Sequence, residues 1–149
     1  MNKNNTTIEF IGKVAIPQGV ILNANKIKYE HYKVNTPSKF QVHSLDDTLL
    51  IETISSLIGI QKEKLDYVYF SVCQGAEPHI DLLDPNKFTN TTYVIPVILP
   101  LGDSIIVAET QREKVQVGGV YKFNHTKTHS MELDDTSSGC VVIMVAVLH

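Results

Sequence analysis

The chain has 149 residues, a formal net charge of −3 and a 43% hydrophobic composition that includes no Trp. This profile excludes collagen-like, coiled-coil and disordered classes. With 16 acidic against 13 basic residues, it also argues against a protein held mainly by nucleic-acid phosphates. A single domain, 1–149, is expected at this length, large enough to bury roughly 68–70% of its unfolded surface without staples.

The first residues, Met1-Asn2-Lys3-Asn4-Asn5, are polar and lack the apolar core of a signal peptide. The longest apolar run, 141–148, is far shorter than the roughly 20 residues that span a bilayer. A cytoplasmic protein with no membrane partner is therefore expected. Residues 8–64 read as a supporting zone. Within it, 8–16 predicts a strand interrupted by Gly12 and stopped by Pro17, and 19–22 and 29–34 predict short strands. Ser44-Leu45-Asp46-Asp47 offers capping groups for one helix. Its stripe Leu49, Leu50, Ile54, Leu57 and Ile58 marks a packing face, and Gly59 ends it.

From 65 to 149 the pattern is strand throughout. The predicted strands are 67–73, 91–99, Ser104–Ala108, 115–117, 120–123, 130–133 and Cys140–Leu148, with turn signals between them. The expected class is mostly β with one helix, built as a sandwich or barrel. Both faces of the last strand are apolar. Val141, Ile143, Val145 and Val147 share one, and Val142, Met144, Ala146 and Leu148 the other. That strand is expected to be covered on one side by the opposing sheet and on the other by the 49–58 helix. Glu132 alternates with Met131 and Leu133 and is expected to point outward. Cys73 and Cys140 lie in apolar runs and read as two reduced core thiols.

One spacing carries chemistry. His79-Ile80-Asp81 is predicted at the start of a strand, where residues two apart face the same way. His129, at the start of another predicted strand, can supply a second imidazole. Two His and one carboxylate on one face of an ion leave positions open for a co-substrate and dioxygen. His125 reads as a loop residue or a partner of a metal ligand. No Gly-x-Ser-x-Gly, phosphate-binding loop or Cys-x-x-Cys is present.

The stretch 67–81, with Gly75 ahead of His79, resembles the strand–Gly–His-x-Asp segment of the 2-oxoglutarate/iron(II)-dependent oxygenases. The run 93–99 with Gly102 resembles the next strand and turn of that superfamily. Val117-Gly118-Gly119-Val120-Tyr121-Lys122-Phe123, with His129 beyond it, resembles the block that carries the distal His. Residues 140–148 resemble the closing strand. The resemblance covers 65–149 and is nearest to the aspartyl/asparaginyl and prolyl hydroxylase branches. It implies a double-stranded β-helix (jelly-roll) barrel, Fe(II) held by His79, Asp81 and His129, and 2-oxoglutarate as co-substrate. It also implies hydroxylation of an unidentified substrate, whether protein side chain, nucleobase or small metabolite.

The superfamily clamps the distal carboxylate of 2-oxoglutarate with an Arg or Lys about ten residues beyond the distal His. Here Ser138-Gly139-Cys140-Val141-Val142 contains neither, and nor does Tyr93-Val94-Ile95-Pro96-Val97. Lys122, on a predicted strand, is the first candidate for that charge, with Tyr93 as its hydroxyl partner and Tyr69 and Thr91 as further hydroxyls. Lys87, Arg112 and Lys127 are expected at the surface. Two alternatives follow from the departure: a degenerate double-stranded β-helix acting as a binding module, or a cupin-like metal protein that uses no keto acid.

Overall fold

The computed structural model describes residues 7–33, 41–45, 47–73, 75–136 and 139–149. Among them the order is β1 (Ile8–Lys13), α1 (Gln18–Lys33), β2 (Gln41–Ser44), α2 (Thr48–Ile58), β3 (Leu65–Cys73), β4 (Ala76–His79) and β5 (Phe88–Ile98). There follow β6 (Ser104–Ala108), β7 (Gln111–Lys114), β8 (Gly119–Asn124), β9 (His129–Leu133) and β10 (Cys140–Leu148). The strands form two antiparallel sheets. The large one has the order β1-β8-β5-β10-β3-β2 and the small one β4-β9-β6-β7.

Alternation along the strands of the large sheet divides the core in two. Phe70, Tyr93, Ile95, Val120, Ile143 and Val145 face the helices and pack with Val20, Ala24, Leu50 and Ile54. Ile8, Val94, Tyr121, Phe123, Cys140 and Val142 face the other way and pack with Ile106 and Ala108 of the small sheet. The layers are therefore helices, large sheet and small sheet, in a mostly β jelly-roll arrangement. The closing strand β10 is covered on both faces as its sequence demands. The cover on the helix side comes chiefly from α1, which packs on β5, β3 and β10, whereas α2 packs on β1.

Helix α2 follows its local signals. The Asp47 carboxylate accepts from Leu50 N–H at 2.8 Å, and Gly59 closes the helix in the left-handed conformation. Asp46 lies outside the described residues. Leu49, read as part of the packing stripe, instead faces solvent. The stripe is narrower: Leu50 and Ile54 are buried, and Leu57 and Ile58 pack at its edge.

Two predicted elements differ. Residues 19–22 and 29–34 do not form strands. α1 runs through them as far as Lys33, and residues 34–40 lie outside the described set. Val20, Ala24 and Ile27 recur at helical spacing and meet the large sheet. Pro17 starts the helix, where no N–H is needed, and its carbonyl accepts from Ile21 N–H at 3.1 Å. Residues 115–117 form no strand; the strand in this region is β7, which ends at Lys114. β7 is a sheet edge, paired only with β6 among the described residues, so Arg112 and Lys114 can stand in solvent while the Gln111 amide ties the strand to Thr7 and Ile8. Arg112 there pairs bidentately with Glu132, which does point outward. Cys140 is buried as expected. The Cys73 side chain lies outside the described residues.

Gly118 holds β1 against the mouth of β8. Its φ is +80°, its carbonyl accepts from Val14 N–H at 2.9 Å, and a Cβ there would stand 2.7 Å from the Val14 carbonyl oxygen. Gly118→Ala is expected to lower unfolding free energy by about 1–3 kcal/mol, read as a drop in the urea midpoint at unchanged slope.

Candidate metal centre

The chain leaves the large sheet after β3 and enters the small one at β4, crossing at Gly75. Gly75 has φ +112°, and a Cβ there would lie 3.2 Å from the Met131 carbonyl oxygen. Only a residue without a side chain passes comfortably between β3 and β9 in this conformation. β4 is the edge strand of the small sheet, which tolerates Pro78 in the position before His79. Its partner is β9, and the register sets His79 directly opposite His129. His79 therefore ends a short strand, whereas the sequence pattern suggested that it begins one. Asp81 lies two residues beyond, on a segment pinned by its own N–H, which donates to the His125 carbonyl at 3.0 Å.

The two imidazoles meet edge-on, with ring centroids 4.4 Å apart. His79 Nε2 and His129 Nε2 each stand 3.4 Å from Asp81 Oδ1. One ligand atom from each of the three residues falls within 4.8 Å of the others. The far nitrogens are committed elsewhere. His79 Nδ1–H donates to the Glu77 carbonyl at 2.6 Å and His129 Nδ1–H to the Lys127 carbonyl at 2.8 Å. That fixes both tautomers so that Nε2, the lone-pair nitrogen, faces the centre.

His129 Nε2 is buried and has no hydrogen-bond partner. Its 3.4 Å separation from Asp81 exceeds the roughly 2.7–2.9 Å of a charge-assisted hydrogen bond. At that distance no bond offsets the desolvation of Nε2. Two ligands at right angles and about 2.1 Å from one ion stand about 3 Å apart, so this spacing suits an ion between the groups. The donor set of two imidazoles and one carboxylate suits a borderline divalent metal such as Fe(II). Burial pushes the Asp81 carboxyl up, but contact with His129 and the imidazoles of His129, His79 and His125 outweigh it. The carboxyl sits below its ordinary value. It is therefore an anion at neutral pH, as a metal ligand must be.

The centre opens on one side: the His79 and Asp81 side chains are 32% and 27% exposed, against 7% for His129. The three line a cavity of about 180 Å³ between the sheets, together with Tyr69, Ser71, Val94, Ile106, Phe123, Met131, Val142 and Met144. Tyr69 is among the hydroxyls singled out in the sequence. Tyr93 and Lys122 are not in the cavity. They are partners across β5 and β8, and their neighbours Val94 and Phe123 point in, so they point out. Tyr93 packs in the helix-side core, and Lys122 stands opposite Glu9 of β1. Thr91 also lies away from the cavity, with Glu9 and Lys122. Among the described residues no Lys or Arg lines the cavity.

His125 lies in the loop between β8 and β9, as its sequence context implies, but it is buried there. It is 2% exposed, and its Nδ1 shares a 2.7 Å hydrogen bond with Thr92 Oγ1. Burial holds its imidazole below the ordinary value, against the pull of Asp81. Its carbonyl holds the Asp81 segment, so His125 positions a candidate metal ligand and is not itself one of the three that converge. Thr92→Val leaves a buried imidazole nitrogen unpaired. It is expected to cost about 1–3 kcal/mol in urea unfolding and to weaken metal binding about tenfold. Neither Thr92 nor Ser71 stood out in the sequence. Ser71's only signal was its place two residues after Tyr69, on the same face.

No protein-family model matches the sequence, and no curated protein sequence matches it either. Solved structures do share its fold. A prolyl-4-hydroxylase from Pseudomonas putida superposes with a TM-score of 0.61 at 9% identity, over 98% of this chain and 95% of the other. A prolyl hydroxylase from Trichoplax adhaerens, in complex with a hypoxia inducible factor oxygen degradation domain peptide fragment, superposes with a TM-score of 0.62 at 10% identity. That match covers 97% of this chain and 84% of the other. At such identities the likeness is one of fold. No helix among the described residues is long and apolar enough to cross a membrane.

Proposed function

We propose that the chain is an Fe(II)-dependent oxygenase driven by a 2-oxo acid, with 2-oxoglutarate the first to test, and that it hydroxylates a substrate C–H bond. One observation carries the reading. A buried His129 Nε2 with no hydrogen-bond partner converges with His79 Nε2 and Asp81 Oδ1, while both Nδ1 atoms are tied to carbonyls. In this reading Asp81, His79 and His129 hold Fe(II), which when bound supplies the redox chemistry of dioxygen activation. The chain's own work is positioning. Glu77 and Lys127 carbonyls fix the imidazoles, and the His125 carbonyl fixes the Asp81 segment. Val94, Ile106, Phe123 and Val142 keep water from the inner wall. Co-substrate and substrate approach from the His79–Asp81 side, the exposed one. A peptide is the first substrate class to test, since the Trichoplax neighbour was solved with a peptide fragment.

The test is anaerobic titration with Fe(II) and then with 2-oxoglutarate at millimolar concentration, followed by visible absorbance. A charge-transfer band from a chelated 2-oxo acid is expected. Fe(II) bound without any such band supports a second reading, which the lack of Lys or Arg in the cavity among the described residues favours: a metal protein of this fold that uses no keto acid, cupin-like or a binding module. No Fe(II) binding at all rejects the oxygenase.

A further inference from the structure

We infer that the cavity beside His79, Asp81 and His129 selects a 2-oxo acid with an uncharged, apolar tail over one with a second carboxylate. This rests on the oxygenase reading and names the ligand class of that same site. Away from the three metal-ligating candidates the wall is Val94, Ile106, Phe123, Val142 and Met144. Its polar groups are neutral hydroxyls, from Tyr69, Ser71 and Ser130.

The register explains why no cation among the described residues reaches it. The closing strand sets Val142 opposite Ser71 and Pro96, and Met144 opposite Tyr69 and Val94, so two apolar side chains occupy the middle of the wall. Lys127, just ahead of β9, lines an outer groove with Glu9, Glu109 and Lys122, and other cations of these sheets are engaged elsewhere. Arg112 pairs with Glu132, Lys114 with Asp103 and Lys87 with Asp66, all on exposed surface. Lys122 stands on the far face of the large sheet.

A 2-oxo acid that chelates a metal uses its 1-carboxylate and 2-oxo oxygens there, and its remaining carbons must enter the cavity. A terminal carboxylate would shed water against neutral hydroxyls and alkyl groups, an exchange that does not repay the desolvation of an anion. A branched alkyl or phenyl tail gains from burial on the same wall. Val142 and Met144 are thereby the residues that set ligand specificity.

The experiment is isothermal titration of the Fe(II)-loaded chain under nitrogen with 2-oxoglutarate and with 4-methyl-2-oxopentanoate. The branched monocarboxylate is expected to bind at least about tenfold more tightly. Met144→Lys, at a half-buried position on the same wall, should reverse the preference between the two acids, titrated side by side on the Fe(II)-loaded variant, at the cost of a lower thermal midpoint. 2-Oxoglutarate binding as tightly as, or more tightly than, its competitor in the unaltered chain overturns this inference and leaves the oxygenase standing. Fe(II) binding with no affinity for either acid overturns it too, and leaves only a metal site. Failure to bind Fe(II) removes the oxygenase reading and this inference with it.

Discussion

His129→Ala is expected to abolish Fe(II) binding while leaving the metal-free protein about as stable as before. In the intact chain, a buried imidazole nitrogen without a partner costs about 1–3 kcal/mol. Removing the ring also removes the 2.8 Å bond from Nδ1–H to the Lys127 carbonyl, worth about 1 kcal/mol, and its packing against Phe123. The losses and the relief nearly cancel, as they would not for a core residue of similar size. Metal affinity has no such compensation, because two ligands remain where three converged, and a fall of at least about 100-fold is expected. Saturating Fe(II) at about 100 times its dissociation constant should stabilise the unaltered protein by about 2.7 kcal/mol and the variant by almost nothing. Thermal unfolding under nitrogen, with and without Fe(II), reads both effects together. A variant that unfolds outright gives His129 a structural role. A variant that is still stabilised by Fe(II) places the metal elsewhere.

Ile143→Lys is expected to prevent folding. Ile143 is fully buried at the centre of β10, with Phe70 on one flanking strand and Ile95 on the other, beneath the helices. An unpaired ammonium there costs several kcal/mol against a total stability of roughly 5–15 kcal/mol. Ile143→Val removes one methylene and should cost only about 0.5–1.5 kcal/mol. Circular dichroism during urea unfolding separates the two variants. A soluble, cooperatively folding Ile143→Lys protein would show that the helix layer does not cover this strand.

Local chemistry made some elements legible and long-range placement hid others. α2 was readable because Asp47 and Gly59 mark its ends with their own hydrogen-bonding and backbone preferences. β10 was readable because a strand covered on both faces must be apolar on both. α1 was hidden because its stripe of Val20, Ala24 and Ile27 is thin, and the Asn and Lys residues between them suit loops as well as a solvated helix face. β7 was hidden because an edge strand exposed to water shows no apolar alternation. His79 and Asp81 could be paired from sequence because two residues on a short segment fix their own relation. Their meeting with His129 depends on the register of β4 on β9. That Tyr93 and Lys122 fall outside the cavity was hidden for want of one fact, the parity of β5 and β8. Once Val94 and Phe123 point into the cavity, their neighbours must point away. His125's place in a loop was readable, but its burial was not, because that depends on Thr92, far away in the chain.

The central claim is that His79, Asp81 and His129 share one metal ion. X-ray absorption at the iron edge of the Fe(II)-loaded protein, prepared under nitrogen with the stoichiometry measured on the same sample, tests it most directly. The expected result is one iron per chain, nitrogen and oxygen neighbours at about 2.0–2.2 Å, and the outer-shell scattering of two imidazoles, with His79→Ala failing to retain the iron. Iron bound without imidazole scattering, or a spectrum unchanged by His79→Ala, would contradict it.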